Sequence, residues 1–365
     1  MVVEWAKCVS SVTWRLWSTE GGRDMAGIPF VGPIDPLNYA TVERVSPLIE
    51  RVIARNPSKF TFTGTGTYLV GRGRDVAVID PGPDLPEHRT ALTKALDGRN
   101  LTAIVVTHCH SDHVGLVPWL KSETGAPTVA WRPHGSVGVV DNADDIKVME
   151  SLAPPPKSAE EIEKEREIAR AAGLDPDDPE MRETVDTDFD PDRRVDDGAV
   201  AAQGEGWTLR AVHTPGHTSN HMCVELVEES ALFTGDHVMG WSTTVVSPPD
   251  GDMRDYLASL EKVRRRDDAI LWPTHGSPVT DPKPFLDAYH EHRLSRERQV
   301  IDAVRNGLDT VAPMVRHMYA AVVPELHIPA ARSVLAHLTQ LVEDGRLLID
   351  GGGPARLSGT FRLPS

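Results

Sequence analysis

The chain has 365 residues, 40% of them hydrophobic and 25% charged, an ordinary globular composition with room for one large domain and a small appendage. Its formal net charge of −16 speaks against a nucleic-acid partner, and no run approaches the roughly 18 consecutive apolar residues of a membrane span. Cys8, Cys109 and Cys223 make neither a CxxC pair nor an even framework, which argues against a disulfide scaffold and for a reducing cytoplasm.

Residues 1–27 carry Trp5, Trp14 and Trp17 but no apolar stretch ending in a small-residue cleavage site. They are expected to be an extension rather than a secretory signal, with Met25 a second candidate start. A large domain is expected over 28–290. Residues 60–63 alternate apolar with polar, 64–66 can turn, and 67–70 resume the extended pattern, predicting two short strands. Residues 75–80 read as a buried strand stopped by Pro81-Gly82-Pro83, followed by a helix over 86–96. Residues 101–107 (LTAIVVT) are a near-continuous β-branched run, as in a strand covered on both faces, and 114–121 look helical.

Residues 141–197 change character. They hold 20 acidic and 8 basic residues, so this segment carries −12 and leaves only −4 for the rest of the chain. The global acidity therefore says little about the remainder. Ser158 followed by Glu161 predicts a capped helix over 158–172, and Asp/Pro punctuation follows at 175–179. The segment reads as an insertion of one or two exposed helices: a solvated excursion, or a lid, or the contact of a homodimer.

Strands are predicted over 207–212, 221–226, 231–234 and 269–272, with a helix over 257–266. Strands with intervening helices in this order suggest a layered α/β domain. The tail, 295–365, differs: helices over 296–305, 313–322 and 329–344, then strands over 345–349 and 359–363 across Gly351-Gly352-Gly353. Three helices and a hairpin make a winged-helix pattern.

The chemistry concentrates in Thr107-His108-Cys109-His110-Ser111-Asp112-His113, four potential ligands within six residues at the end of a buried strand. On an extended loop alternate side chains face the same way, so His108 and His110 can bind one ion together, and Asp112 and His113 can serve a second. One histidine there would be core packing; three with an aspartate are metal ligands. Imidazoles with few carboxylates and no thiolates suit zinc, or else iron or manganese. Cys109 points away by the same alternation. Three further loops at strand ends supply His217 (TPGHT), Asp236 (FTGDH) and His275 (PTHG). His134, His213 and His237 lie near these loops and are expected to pack or to hydrogen-bond behind the site.

This HxHxDH motif and the later GH, GD and HG loops, in that order over about 60–279, resemble the metallo-β-lactamase superfamily. The resemblance implies an α/β fold, an αββα sandwich with metals at one edge of its two sheets. It implies a first ion on His108, His110 and His217, a second on Asp112, His113 and His275, and Asp236 bridging both. The stretches TPGHTSNHM and GDHVMGWSTTVV, with the winged-helix-like tail, are similar to the lactamase-β-2-like group, which includes a mitochondrial single-strand RNA endonuclease. Fungal polyketide thioesterases are also similar in these loops. The acidic insertion departs from that pattern, as does Gly66, where many relatives carry Asn.

Two ions sharing a water would lower its pKa from about 16 toward 7 and make hydroxide available to attack a carbonyl or phosphorus. Asp112 could orient that nucleophile or shuttle its proton, and His221, Ser242, Thr243 and Thr244 are the candidate substrate contacts. Two substrates compete: a small acyl ester, thioester or lactone, and single-stranded RNA. RNA needs a basic track and stacking aromatics. The tail offers 8 Arg and Lys against 7 acidic residues, so the acyl substrate is preferred, although Arg264-Arg265-Arg266 and 293–298 could line a groove. β-Lactam hydrolysis is a minor alternative. A metal-sensing regulator that binds through the tail fits poorly with so little positive charge.

Overall fold

The computed structural model describes residues 27–134, 141–171 and 184–365. Seven strands form a first sheet in chain order: β1 (Glu43–Arg44), β2 (Ile49–Ile53), β3 (Gly66–Val70), β4 (Asp75–Ile79), β5 (Asn100–Val105), β6 (Thr128–Ala130) and β7 (Arg193–Arg194). The pairs from β1 to β4 are antiparallel and those from β4 to β7 parallel. Helices α1 (Pro86–Leu96), α2 (Ser111–Val114) and α3 (Val117–Thr124) fall between these strands. The predicted helix over 114–121 is thus two pieces, separated by Gly115 and Leu116.

The second sheet has the order β12-β11-β10-β9-β8, built from β8 (Val200–Gly204), β9 (Trp207–His213), β10 (Met222–Leu226), β11 (Ala231–Gly235) and β12 (Ile270–Pro273). The two-residue period of the strands decides the layering. Ala77 and Ile79 of β4 point inward with Tyr68 and Val105, against Leu209, Val224 and Phe233 of the facing sheet. The alternate residues Val76 and Val78 point outward under Leu92 of α1 and Leu120 of α3. On the other outer face Cys223, Leu232 and Leu271 are covered by α6 (Met253–Arg264) and α7 (Pro282–Arg305). Tyr68 ties the layers together, its hydroxyl donating to Pro273 O at 2.6 Å.

Residues 60–63 are not a strand. The Ser58 hydroxyl accepts from the amides of Phe60 and Thr61, 3.0 Å each, and this local bond folds the segment into a turn. The strand lies earlier, in β2, where Glu50 and Arg51 interrupt the apolar pattern. Both are buried, and Glu50 is paired with Arg99 at 2.6 Å.

Within the acidic segment the described residues form α4 (Ala143–Leu152) and α5 (Ala159–Ala171). The Ser158 cap is present: Glu161 N donates to Ser158 Oγ at 3.2 Å and Ser158 N to Glu161 at 2.8 Å. The Asp/Pro punctuation at 175–179 lies outside the described residues, as do residues 1–26 of the extension expected over 1–27. The C-terminal unit comprises the end of α7, α8 (Val311–Met318), α9 (His327–Glu343) and the hairpin β13 (Leu348–Ile349) with β14 (Phe361–Arg362). Helix α7 is continuous through 290–295, the stretch expected to divide the large domain from the tail.

The segment is no solvated excursion at α4, because Leu152, Val148 and Met149 pack into the core built by α8 and α9. Arg332 of α9 pairs with Asp141, and Ser358 N donates to Asp145 at 2.7 Å. Leu152→Ala is therefore expected to cost about 2–5 kcal/mol, read as a lower urea midpoint, where an exposed leucine would cost under about 0.5 kcal/mol. Among the described residues no helix is long and apolar enough to cross a membrane.

Candidate metal centre

The site sits at one edge of the sandwich, where β5, β9, β11 and β12 end. Past β5 the chain carries His108 and His110 on an extended stretch before α2 presents Asp112 and His113. Past β9, His217 follows Gly216 (φ +128°), whose missing Cβ would stand 2.3 Å from the backbone N and Cα of Tyr256 in α6. No other residue fits that approach. Gly216→Ala is expected to cost about 3 kcal/mol or more, through positive φ and overpacking together, and to push His217 off its position. A thermal melt with a parallel metal titration reads both effects.

The donor atoms converge in two groups. His108 Nε2 is 3.0 Å from His110 Nδ1, which is 3.3 Å from His217 Nε2; Asp236 Oδ2 is 3.9 Å from His217 Nε2. In the second group Asp112 Oδ2 is 3.5 Å from His113 Nε2 and 3.3 Å from His275 Nε2. The other carboxylate oxygen of Asp236 faces this group, 3.6 Å from His113 Nε2 and 3.4 Å from His275 Nε2. Ligands about 2.0–2.2 Å from one tetrahedral ion stand roughly 3.3–3.6 Å apart; the second set matches those edges, and the first, at 3.0, 3.3 and 3.9 Å, spans them. His113 Nε2 and Asp236 Oδ1 are buried without a hydrogen-bond partner. Buried polar atoms left unpaired are costly, and a cation would satisfy these.

The electrostatics agree. Burial and neighbouring imidazoles hold His108 well below the usual histidine range, and burial with His217 nearby lowers His110 to about 3. Both are thus neutral, the form that ligates. In the second group burial also favours neutrality, but Asp112, Asp80 and Asp236 outweigh it and raise His113 to about 9. Burial opposes the charged form of His275 too, yet Asp236 and Asp112 raise it well above its ordinary value. Two histidines held cationic by three neighbouring carboxylates mark a place where a divalent ion can substitute for protons.

Residues that sequence patterns did not single out hold these ligands in place. Asp80, at the end of β4, accepts from Thr107 N and Oγ1 at 2.8 Å each, from His113 Nδ1 at 2.8 Å and from Thr274 Oγ1 at 3.3 Å. Thr65 donates to Asp112 at 3.0 Å and is itself held by Asn56. The available signal was an acidic residue closing a buried strand beside Pro81-Gly82. Gly66 lies where β3 meets the HG loop, and a Cβ there would stand 3.1 Å from Thr274 O.

The expected substrate contacts divide. Ser242 and Thr243 line a cleft of about 430 Å³ that includes His110, His217 and Asp236. His221 does not: it is fully buried, its Nε2 accepting from Asp236 N at 3.2 Å and its Nδ1 meeting Thr214 Oγ1 at 2.9 Å. Thr244 does not line this cleft either, its hydroxyl donating to Asp236 O at 2.8 Å, although it borders a neighbouring chamber. Both position the Asp236 loop. Cys109 is buried in the outer-layer core with Leu92 and Leu120. His213 stacks on Trp131 at 3.6 Å and His237 lies buried 5.0 Å from Tyr256. His134 is different, lining the cleft with its Nε2 2.8 Å from Asp250. The return of the acidic segment builds another wall, pairing Val185 with His110 and bonding Thr184 O to Ser111 N at 2.8 Å.

Comparisons with known proteins agree with this geometry. The model of the metallo-beta-lactamase superfamily matches residues 61–275, and that of the beta-lactamase associated winged helix domain matches 310–353. The chain is 34% identical over 267 residues to an atrochrysone carboxyl ACP thioesterase of Aspergillus chevalieri, covering 72% of this chain and 68% of that protein. It is 30% identical over 308 residues to a beta-lactamase-like protein 2 homolog of Caenorhabditis elegans, covering 83% and 87%. A beta-lactamase domain protein from Burkholderia ambifaria shares the fold, with TM-score 0.63 and 19% identity over 94% of this chain and 99% of that one. On its two matched domains and its relatives, the chain belongs to the metallo-beta-lactamase superfamily of hydrolases, with a C-terminal winged helix domain.

Proposed function

We propose that the chain is a binuclear, zinc-type hydrolase of small acyl thioesters, its ions held by His108, His110 and His217 and by Asp112, His113 and His275, with Asp236 shared. The observation that carries this is the placement of Asp236, one carboxylate oxygen toward each donor group. Two divalent ions there would polarise the substrate carbonyl and make hydroxide available at neutral pH.

The chain's own residues do the rest. Water oxygen adds to the carbonyl carbon, the C–S bond breaks, and the sulfur leaves as a thiol once it takes a proton. Asp112, fixed by Thr65, stands where it can orient the attacking water and carry its proton. Met239, Trp241 and Val185 give the cleft an apolar wall that limits water around the reacting carbonyl. Ser242 and Thr243 offer hydroxyls to the substrate.

Three observations favour an acyl group over RNA. The three consecutive arginines at 264–266, which could have formed a basic track, are paired: Arg264 with Glu261 and Asp287, Arg265 with Glu261, Arg266 with Asp268 and Glu225. Trp241, available for base stacking, is already stacked on Phe62 at 4.5 Å. The thioesterase name of the Aspergillus relative points the same way. A paired assay of the zinc-loaded protein on acyl thioesters and lactones and on single-stranded RNA tests the choice, with Asp112→Ala alongside to expose contaminating nuclease. Turnover of thioesters that is lost in Asp112→Ala is expected. Cleavage of RNA that Asp112→Ala abolishes, with thioesters untouched, would overturn the acyl assignment.

A further inference from the structure

Beside the metal cleft lies a second chamber of about 200 Å³, between the catalytic domain and the winged helix domain. Lys59, Phe60, Thr243, Val245 and Pro329 line both, so the chamber opens off the cleft rather than standing apart. Its upper walls are apolar, from Met318, Val322, Val323, Leu326 and Ala330. Its floor is not: His292, Arg293 and Arg296, from successive turns of α7, line it as well.

Arg293 is 3% exposed, and among the described residues no carboxylate pairs with it. Its guanidinium donates to Thr244 O and sits 4.9 Å over the Tyr256 ring and 5.9 Å over the Tyr289 ring, while its Nε has no partner. Carbonyl and ring contacts offset part of the cost of burying a full charge, but they supply no counter-charge. Arg296 is braced by Gln299, Met318 O and the Tyr319 ring. His292 is 8% exposed, and neither of its ring nitrogens has a hydrogen-bond partner. His337, behind it, is likewise unpartnered at both nitrogens. Burial first, and then the two guanidinium groups, lower His292 to about 2 and His337 to about 3, so both rings are neutral and each retains one unused N–H. The chamber therefore joins apolar walls to a buried floor with a positive charge and vacant donors.

We propose that this chamber is the subsite for the far end of the acyl group, and that it takes an apolar arm ending in a carboxylate. A carboxylate on the floor would give Arg293 a counter-charge and accept from His292, both charge-assisted bonds in a low-dielectric pocket. The apolar arm would run past Phe60 and Thr243 to leave its thioester carbonyl in the metal cleft. This rests on the hydrolase assignment for the reaction, but the recognition itself is measurable without turnover.

The experiment has two arms on the zinc-loaded full chain. In the first, a series of thioesters carrying an ω-carboxylate on four to eight carbons is compared with methyl-ended counterparts of equal length. A preference of about 10-fold or more for the carboxylate is expected, carried in KM. It should fall at least fivefold in His292→Phe, which keeps the ring volume but removes both nitrogens, and return in part in His292→Gln. In the second arm, calorimetry compares octanoate with octanamide. Octanoate should bind about 10-fold tighter, with that margin lost in His292→Phe at an unchanged Tm. Equal affinity for the two ligands, or a margin intact in His292→Phe, overturns the subsite. If no thioester is turned over while the octanoate margin behaves as expected, the acyl hydrolase assignment fails and the anion subsite stands.

Discussion

Changing Asp236 to asparagine is expected to lower kcat/KM on an acyl thioester by about 10³-fold, on the order of 4 kcal/mol of transition-state stabilisation. The carboxylate faces both donor groups, 3.9 Å from His217 on one side and 3.4 Å from His275 on the other. An amide has nearly the same volume but turns an N–H2 toward one of the groups, where only an acceptor can serve. The loss is expected in kcat, with the thermal midpoint and the zinc content read on the same sample. Full activity with two bound ions in the variant would show that the two groups do not depend on a shared carboxylate.

The second large effect is expected from a residue that touches no substrate. Asp80→Asn should weaken metal binding and activity together, by about 10- to 100-fold, the usual range for a carboxylate that orients a ligating imidazole. Asp80 is 1% exposed, sits at φ +48° and accepts from four donors, on two loops and on α2. An amide nitrogen there must face either Thr107 or His113, setting donor against donor. A competition titration with a chromophoric chelator reads the affinity directly. Thr274→Val, which removes only the longest of the four contacts, should cost less than about 10-fold and serves as the graded control.

The αββα core and the donor set were legible because both depend on local pattern. Runs such as 75–80 and 101–107 announce buried strands, and the histidines and aspartates stand where those strands end. Asp80 was not legible in its role, since His113 lies 33 positions further along and meets it only once the chain has folded back. His221 and Thr244 lie within the conspicuous loops, yet the fold turns them behind Asp236. Proximity in sequence to a ligand does not say which way a side chain points. The acidic segment misled by composition. Among the described residues its charges are mostly at the surface, while three apolar residues on one face of α4 suffice to dock it against α8 and α9. The arginines expected to line a groove divide: Arg293 and Arg296 of α7 line the second chamber from buried positions, whereas acidic partners cover Arg264 to Arg266.

The proposed centre holds two ions on seven side chains. It is tested most directly by the metal content of the purified protein after zinc loading and dialysis, measured beside the His275→Ala variant. Two equivalents per chain are predicted for the native protein, and one for the variant, which should also lose most of its thioester activity. A native chain that saturates at a single equivalent with full turnover, or a variant that keeps both ions, would contradict the two-ion site.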